Sequence, residues 1–192
     1  IKSRPVYVVE DSLGFIWVAS LQHGIFRIEK NTGKTKNYRF NPLDPTSISS
    51  NNFNLNQNPP IVIDNNQNIW IGTTNGLNYY QRDKDVFIRF FTTKETNKSL
   101  SSNTINTLSL DGNNLWVGTP SGLDRVDTKT MTIERYAGTK WFSMVGVHAV
   151  TKIVPFKKGT PMSGFWMATV GGLVFYDESM SSFQDIIHPK IF

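Results

Sequence analysis

In a chain without cysteine, the three histidines His23, His148 and His188 are the first residues to weigh for catalysis or metal binding. They lie too far apart to form a local metal motif, so a zinc site would require the fold to gather them. The missing cysteines also remove disulfides, Cys-ligated zinc and a thiol nucleophile. Serine is abundant, yet no Gly-x-Ser-x-Gly elbow is present, nor a Gly-x-x-x-x-Gly-Lys phosphate loop or a dinucleotide fingerprint. Asp11, Asp64 and Asp111 precede tryptophans by 6, 6 and 5 positions and form a regular series of carboxylates. Their simpler role is in turns, where a short carboxylate hydrogen-bonds its own backbone. Asp64-Asn65-Asn66-Gln67-Asn68 begins like a calcium loop, but Ile69 stands where Gly is needed and Asn75 where a bidentate Glu is needed. The expectation is a chain with no catalytic set, no cofactor and no metal.

A second kind of chemistry is recognition of a sugar ring. Trp141 is the one tryptophan outside the periodic pattern described below, and it is followed by Phe142, with Lys140 and His148 nearby in sequence. An exposed indole stacks on a pyranose while polar groups fix the hydroxyls. The competing reading is that Trp141 and Phe142 pack beneath a long loop or against a neighbouring element. Gln22 and His23 are further candidates, because they occupy a turn one residue longer than its counterparts Thr74-Asn75 and Pro120-Ser121.

These residues must be positioned by something, and the sequence shows what. Four tryptophans sit in one recurring pattern: Ile16-Trp17-Val18-Ala19-Ser20, Ile69-Trp70-Ile71-Gly72-Thr73, Leu115-Trp116-Val117-Gly118-Thr119 and Phe165-Trp166-Met167-Ala168-Thr169. Each is followed by a Gly-aliphatic pair at Gly24, Gly76, Gly122 and Gly172. The tryptophans are 53, 46 and 50 residues apart, and Ser47-Ile48-Ser49-Ser50-Asn51 returns 52 residues later as Ser99-Leu100-Ser101-Ser102-Asn103. Within a period the signals are short β-runs and turns: Thr104 to Leu110, Leu115 to Thr119, Gly122 to Val126 and, after a turn at Asp127 to Thr130, Met131 to Tyr136. A four-stranded antiparallel unit repeated every ~40–50 residues predicts an all-β chain of propeller blades. The repeated Trp is expected to fill the space between blades, and the Gly after it to permit a tight turn.

The consensus Asp-x-x-Gly-x-aliphatic-Trp-aliphatic-Gly-Thr-x-x-Gly-Leu-x-x-aromatic-Asp, preceded by Ser-Leu-Ser-Ser-Asn, resembles the two-component regulator propeller repeat. The copy from Ser99 to Tyr136 is the nearest to it. Copy one has Ala19-Ser20 for Gly-Thr, and copy four has Ala168 for Gly and lacks the Asp turn. The resemblance implies the periplasmic sensor region of Bacteroidetes hybrid two-component systems, in which two seven-bladed propellers precede a β-sandwich, one membrane span and a histidine kinase. It also implies an oligosaccharide or other small ligand, control of glycan-use genes, a homodimeric receptor, and partners in the remaining blades and the membrane-proximal module. Four repeats of about 48 residues fill positions 1–192, either as four blades of a larger ring or as a closed four-bladed ring, and the resemblance favours the first. The rival readings are a propeller lyase with an acid/base at the channel mouth, tested by turnover, and a protein-interaction platform.

Composition agrees with a soluble globular chain. The 192 residues carry 20 Lys+Arg against 15 Asp+Glu, a net charge of +5, with 18% charged residues and 39% hydrophobic. No apolar run reaches the ~18–20 residues that span a bilayer. The basic residues are dispersed, with Lys30 to Lys36 and Lys157-Lys158 the densest groups, so the expectation is a solvated basic surface with no nucleic-acid partner.

Overall fold

Sixteen strands in four separate sheets account for the regular structure of the computed structural model, which describes residues 4–55, 59–94, 98–136, 149–156, 164–177 and 182–187. The first sheet holds β1 (Pro5–Glu10), β2 (Phe15–Ser20), β3 (Gly24–Glu29) and β4 (Thr35–Tyr38). The second holds β5 (Ile61–Ile63), β6 (Ile69–Thr73), β7 (Gly76–Gln81) and β8 (Val86–Phe90). The third holds β9 (Thr107–Asp111), β10 (Asn114–Thr119), β11 (Gly122–Asp127) and β12 (Ile133–Arg135), and the fourth β13 (Val150–Phe156), β14 (Gly164–Thr169), β15 (Gly172–Asp177) and β16 (Ser182–Ile187). Every sheet is an antiparallel meander in chain order, with all neighbouring strands hydrogen-bonded. The first strands β1, β5, β9 and β13 neighbour one another in succession and form the inner wall. These are four propeller blades, as the repeat predicts. Among the described residues, no helix is long and apolar enough to cross a membrane.

Alternation along each strand gives a blade two apolar faces, and both are used. Trp17, Ala19, Ile25 and Tyr38 of the first blade form one buried cluster with Ile61, Ile69, Ile71, Tyr80 and Phe87 of the second. Trp70 and Leu77 of the second blade do the same with Leu108, Leu115, Val117 and Val126 of the third. Trp116 and Leu123 meet Val150, Ile153, Phe165, Met167, Val174 and Tyr176 of the fourth. The polarity is constant: the Trp face of each blade packs on the aliphatic face of the next. Trp17 meets Tyr80 edge-on at 4.9 Å between centroids, and Trp116 lies 4.5 Å from Phe165. Trp166 is half-buried and packs on Phe175 of its own sheet at 4.9 Å, while its strand partner Val154 is 47% exposed. Among the described residues, no fifth sheet covers that face.

In the third blade β9 begins at Thr107 rather than Thr104 and β10 at Asn114 rather than Leu115, and the start of the last strand differs from the sequence-based expectation for a reason that recurs along the chain. The last strand of the third blade begins at Ile133 rather than Met131, because Met131 is left-handed at φ 58° and donates its amide to the Asp127 carbonyl at 2.8 Å. Gly33 and Asp85 occupy the same turn position with φ of 71° and 57°. Only the glycine announces such a position in sequence.

The turn carboxylates divide in the same way. Asp11 Oδ1 accepts the amides of Leu13 and Phe15, and its Oδ2 accepts the Trp17 indole N–H at 2.9 Å. Asp64 repeats this with the amides of Asn66 and Asn68 and the Trp70 indole. Asp111 departs from the expectation. Its turn is one residue shorter, Asp111 pairs with Asn114 as the last residue of β9, and the buried Trp116 Nε1 has no hydrogen-bond partner among the described residues.

Candidate functional site

Strand direction puts the turns between second and third strands on the same rim as the connections between blades. Gln22 lies there, exposed, in the three-residue turn Leu21 to His23. His23 is partly buried, and its Nδ1 is enclosed with no hydrogen-bond partner among the described residues. The chain returns at Gly24, where φ is +74° and an added Cβ would run into the Tyr38 carbonyl, so only glycine closes this longer turn. The counterpart turns of later blades present Asn75, Pro120-Ser121 and Val170, all exposed, along the same rim. Lys140, Trp141, Phe142 and His148 lie outside the described residues, as does His188. The structure therefore brings Gln22 and His23 to the expected rim. Among the described residues, no group of three or more His, Asp or Glu side chains could hold a metal.

The recurring Ser-x-Ser-Ser-Asn segment is the clamp that fixes this rim. Asn51 reaches back to the first blade, its Oδ1 accepting the Phe40 amide at 2.8 Å and its carbonyl accepting the Gly24 amide at 3.0 Å. Asn103 does the same to the second blade through Thr92 and Gly76. Ile48 and Leu100 are the buried pegs between blades. Ser49 donates its amide to Asn78 Oδ1 at 2.8 Å, and its hydroxyl lies 3.0 Å from that of Thr73; Ser101 donates to Asp124 Oδ2 and lies 2.8 Å from Thr119 Oγ1. Each clamp is capped by an arginine from the last strand of its blade. Arg89 donates to the Ser47 carbonyl and hydroxyl and to the Asp44 carbonyl; Arg135 donates to the Ser99 carbonyl and hydroxyl and to the Leu100 carbonyl. We predict that Arg89→Ala and Arg135→Ala each lower the unfolding free energy by about 1–2 kcal/mol, with Lys an incomplete substitute because it lacks the planar fork. Urea titration checks this.

A polar cluster that no sequence motif marks lies on the outer side of the seam between blades one and two. Asp85 accepts from the Tyr38 and Tyr80 hydroxyls, each at 2.5 Å, from Arg27 at 3.3 Å and from Lys36. Burial works against its charge, but Lys36, the two phenols and Arg27 outweigh it and hold the carboxyl at about 2. Burial and the same carboxylate push the Tyr38 hydroxyl well above the usual phenol range and raise that of Tyr80. A carboxylate so fully engaged is a pin between blades, not a proton carrier. Beside it lies a groove of about 400 Å³ lined by Phe15, Arg27, Glu29, Lys34, Thr35, Lys36 and Asp85. The equivalent positions at the next seam are Tyr79, Phe90, Val126 and Met131, which lack such charge. Arg27 lies over Phe15 of its own blade at 4.9 Å, whereas Tyr38 faces Tyr80 across the seam, a pairing that requires knowing that the two blades touch.

Residues 99–121 match the family described as two component regulator propeller. No curated protein matches the chain. Among solved structures, the extracellular domain of a B. thetaiotaomicron protein described as a hybrid two component system superposes with a TM-score of 0.76 at 22% identity, covering 98% of this chain and 25% of that one. The extracellular domain of a B. thetaiotaomicron one component system gives 0.64 at 22% identity, over 98% of this chain and 22% of that one. U3-55K gives 0.64 at 10% identity, over 96% and 52%. The chain thus spans about a quarter of the length of the first two, and at these identities the likeness establishes the fold. The described residues form four β-propeller blades, and within the third of them residues 99–121 match the two component regulator propeller family.

Proposed function

We propose that the chain belongs to the periplasmic ligand-sensing region of a hybrid two-component sensor histidine kinase, and that its ligand is an oligosaccharide met on the rim of turns and blade connections. The observation that carries this reading is the family match at 99–121, on a fold shared along 98% of the chain with an extracellular domain of such a system. The rim is suited to sugar recognition, since it offers Gln22, the enclosed His23 imidazole and Asn75 from a scaffold clamped at the connections around residues 47–51 and 99–103, and Lys140, Trp141, Phe142 and His148 are further candidates from the sequence. The Trp166 face takes a further blade of the same receptor, since three internal seams are built from that same Trp face. Signalling then follows if the ligand binds one state of a homodimeric receptor more tightly than the other, because equal affinity shifts nothing.

Calorimetry of the receptor's whole extracellular region against a panel of oligosaccharides tests the proposal. The expected result is saturable binding to one of them, weakened about tenfold or more by His23→Ala or Trp141→Ala, without product. Turnover of the sugar, or no binding to any sugar alongside tight capture of a protein partner, would overturn it.

A further inference from the structure

Asn78 and Asp124 occupy one position in successive blades, two residues after the glycine that opens the third strand. The register is the same: Asn78 pairs with Ile71 and Asp124 with Val117. Asn78 satisfies its amide completely. Its Oδ1 accepts from the Ser49 amide, while its Nδ2 donates to Ser49 Oγ at 2.9 Å and to the Ile71 carbonyl at 3.2 Å. Asp124 reproduces the accepting half only: Oδ2 takes the Ser101 amide at 2.8 Å and its hydroxyl at 2.9 Å. Its other oxygen, Oδ1, is buried with no hydrogen-bond partner among the described residues, in a side chain with no exposed surface.

The shared register puts that oxygen where Asn78 keeps its N–H donors, on the side of the Val117 carbonyl. Two bare acceptors facing each other without water are costly, and a single hydrogen resolves them. We propose that Asp124 is carried as the neutral acid, its Oδ1–H donated to the Val117 carbonyl, and that release of this proton to solvent loosens the Ser99–Asn103 clamp, making a proton-sensitive latch between blades two and three. The elements packed around it favour this. The connection presents Ser101, β10 presents Val117 and Thr119, and the second blade presents Trp70 and Leu77, all uncharged. Among the described residues around it, Arg135 of β12 is the one ionised group, and its guanidinium is held by Ser99 and Leu100. Burial pushes the carboxyl up to about 6, against the pull of the Ser101 bonds and Arg135.

The folded-state value lies above the unfolded one, and this fixes the direction of the pH effect. The latch contributes fully below the ordinary carboxylate range, and its contribution is lost as pH rises through about 6. Thermal melting of the full 192-residue chain at pH 5 and 7.5, for wild type and Asp124→Asn, reads it out. The wild-type midpoint is expected to fall relative to that of the variant by about 3–5 °C between the two pH values. In the wild type, the Ser101 amide should exchange faster at pH 7.5 than intrinsic base catalysis explains, while the Ser49 amide, held by Asn78, should not. A parallel pH dependence in both proteins overturns the proposal. So does a wild-type carboxyl 13C signal that shows Asp124 ionised throughout pH 5 to 7, a test that stands even if the variant fails to fold. A rise in the wild-type midpoint on adding calcium alone would show that a cation, not a proton, fills the place. The latch operates independently of the ligand proposed above.

Discussion

Trp70→Ala is expected to lower the free energy of unfolding by about 3–5 kcal/mol, and Trp17→Ala by a similar amount, while Trp166→Ala costs only about 1–2 kcal/mol. The three residues occupy the same place in the repeat, so intrinsic propensity and local turn structure are nearly constant across the series. What differs is the cover. Trp70 is fully buried between its own Tyr79 and Phe90 and the apolar face of the third blade, and its indole N–H is accepted by Asp64 at 3.3 Å. Trp17 is equally enclosed by Tyr38 and Tyr80 and bonded to Asp11. Truncating either opens a cavity in a seam and takes an indole donor from a buried carboxylate, whereas Trp166 loses one half-buried contact with Phe175. Chemical denaturation with fluorescence detection measures all three. Equal losses at all three sites would mean that Trp166 is covered in solution.

The same series shows what the sequence could convey. Trp17, Trp70 and Trp116, each six or seven residues before a glycine, made the blades legible, because packing every blade on the next forces a recurring shape on one strand. Turn positions were less visible: Met131 and Asp85 adopt the conformation that Gly33 adopts, and side chains that tolerate it under tertiary pressure do not advertise it. The clamp was visible as a repeated Ser-x-Ser-Ser-Asn string, but its role was not. The missed signal was that a polar residue follows Gly-Leu only at Asn78 and Asp124, the two blades that this string precedes, whereas Phe26 and Val174 stand there in the others. Gln22 and His23 were placed on the rim by strand parity alone. The Asp85 cluster escaped because its members come from two blades, and no local period links Arg27 with Asp85.

Asp11→Ala is the second large effect expected, again about 3–5 kcal/mol, and its cause is charge as well as packing. The carboxylate has no exposed side-chain surface and serves four donors: two turn amides, the Trp17 indole, and Arg82 Nη2 of the second blade at 2.7 Å. Removing it leaves the indole N–H and a three-quarters-buried guanidinium facing a void. Burial by itself would raise the Asp11 carboxyl, but the Trp17 and Arg82 hydrogen bonds, the Phe15 amide and the Arg82 charge together hold it below the ordinary value. A folded-state value below the unfolded one means that this contribution is complete above the ordinary carboxylate range and disappears as pH falls through the folded value. Asp11→Asn should therefore be less stable than wild type at pH 6, with the gap closing as the solution is acidified below about pH 4. The sign is opposite to that of Asp124, whose contribution is lost on the alkaline side, through about 6. With one buried aspartate failing in acid and the other progressively lost from the ordinary carboxylate range up through about 6, these two groups place the stability maximum of the wild-type chain near about pH 4. Each substitution to asparagine should flatten one flank only. A pair of melting-versus-pH curves in which either substitution flattens both flanks would show that the two seams do not titrate independently.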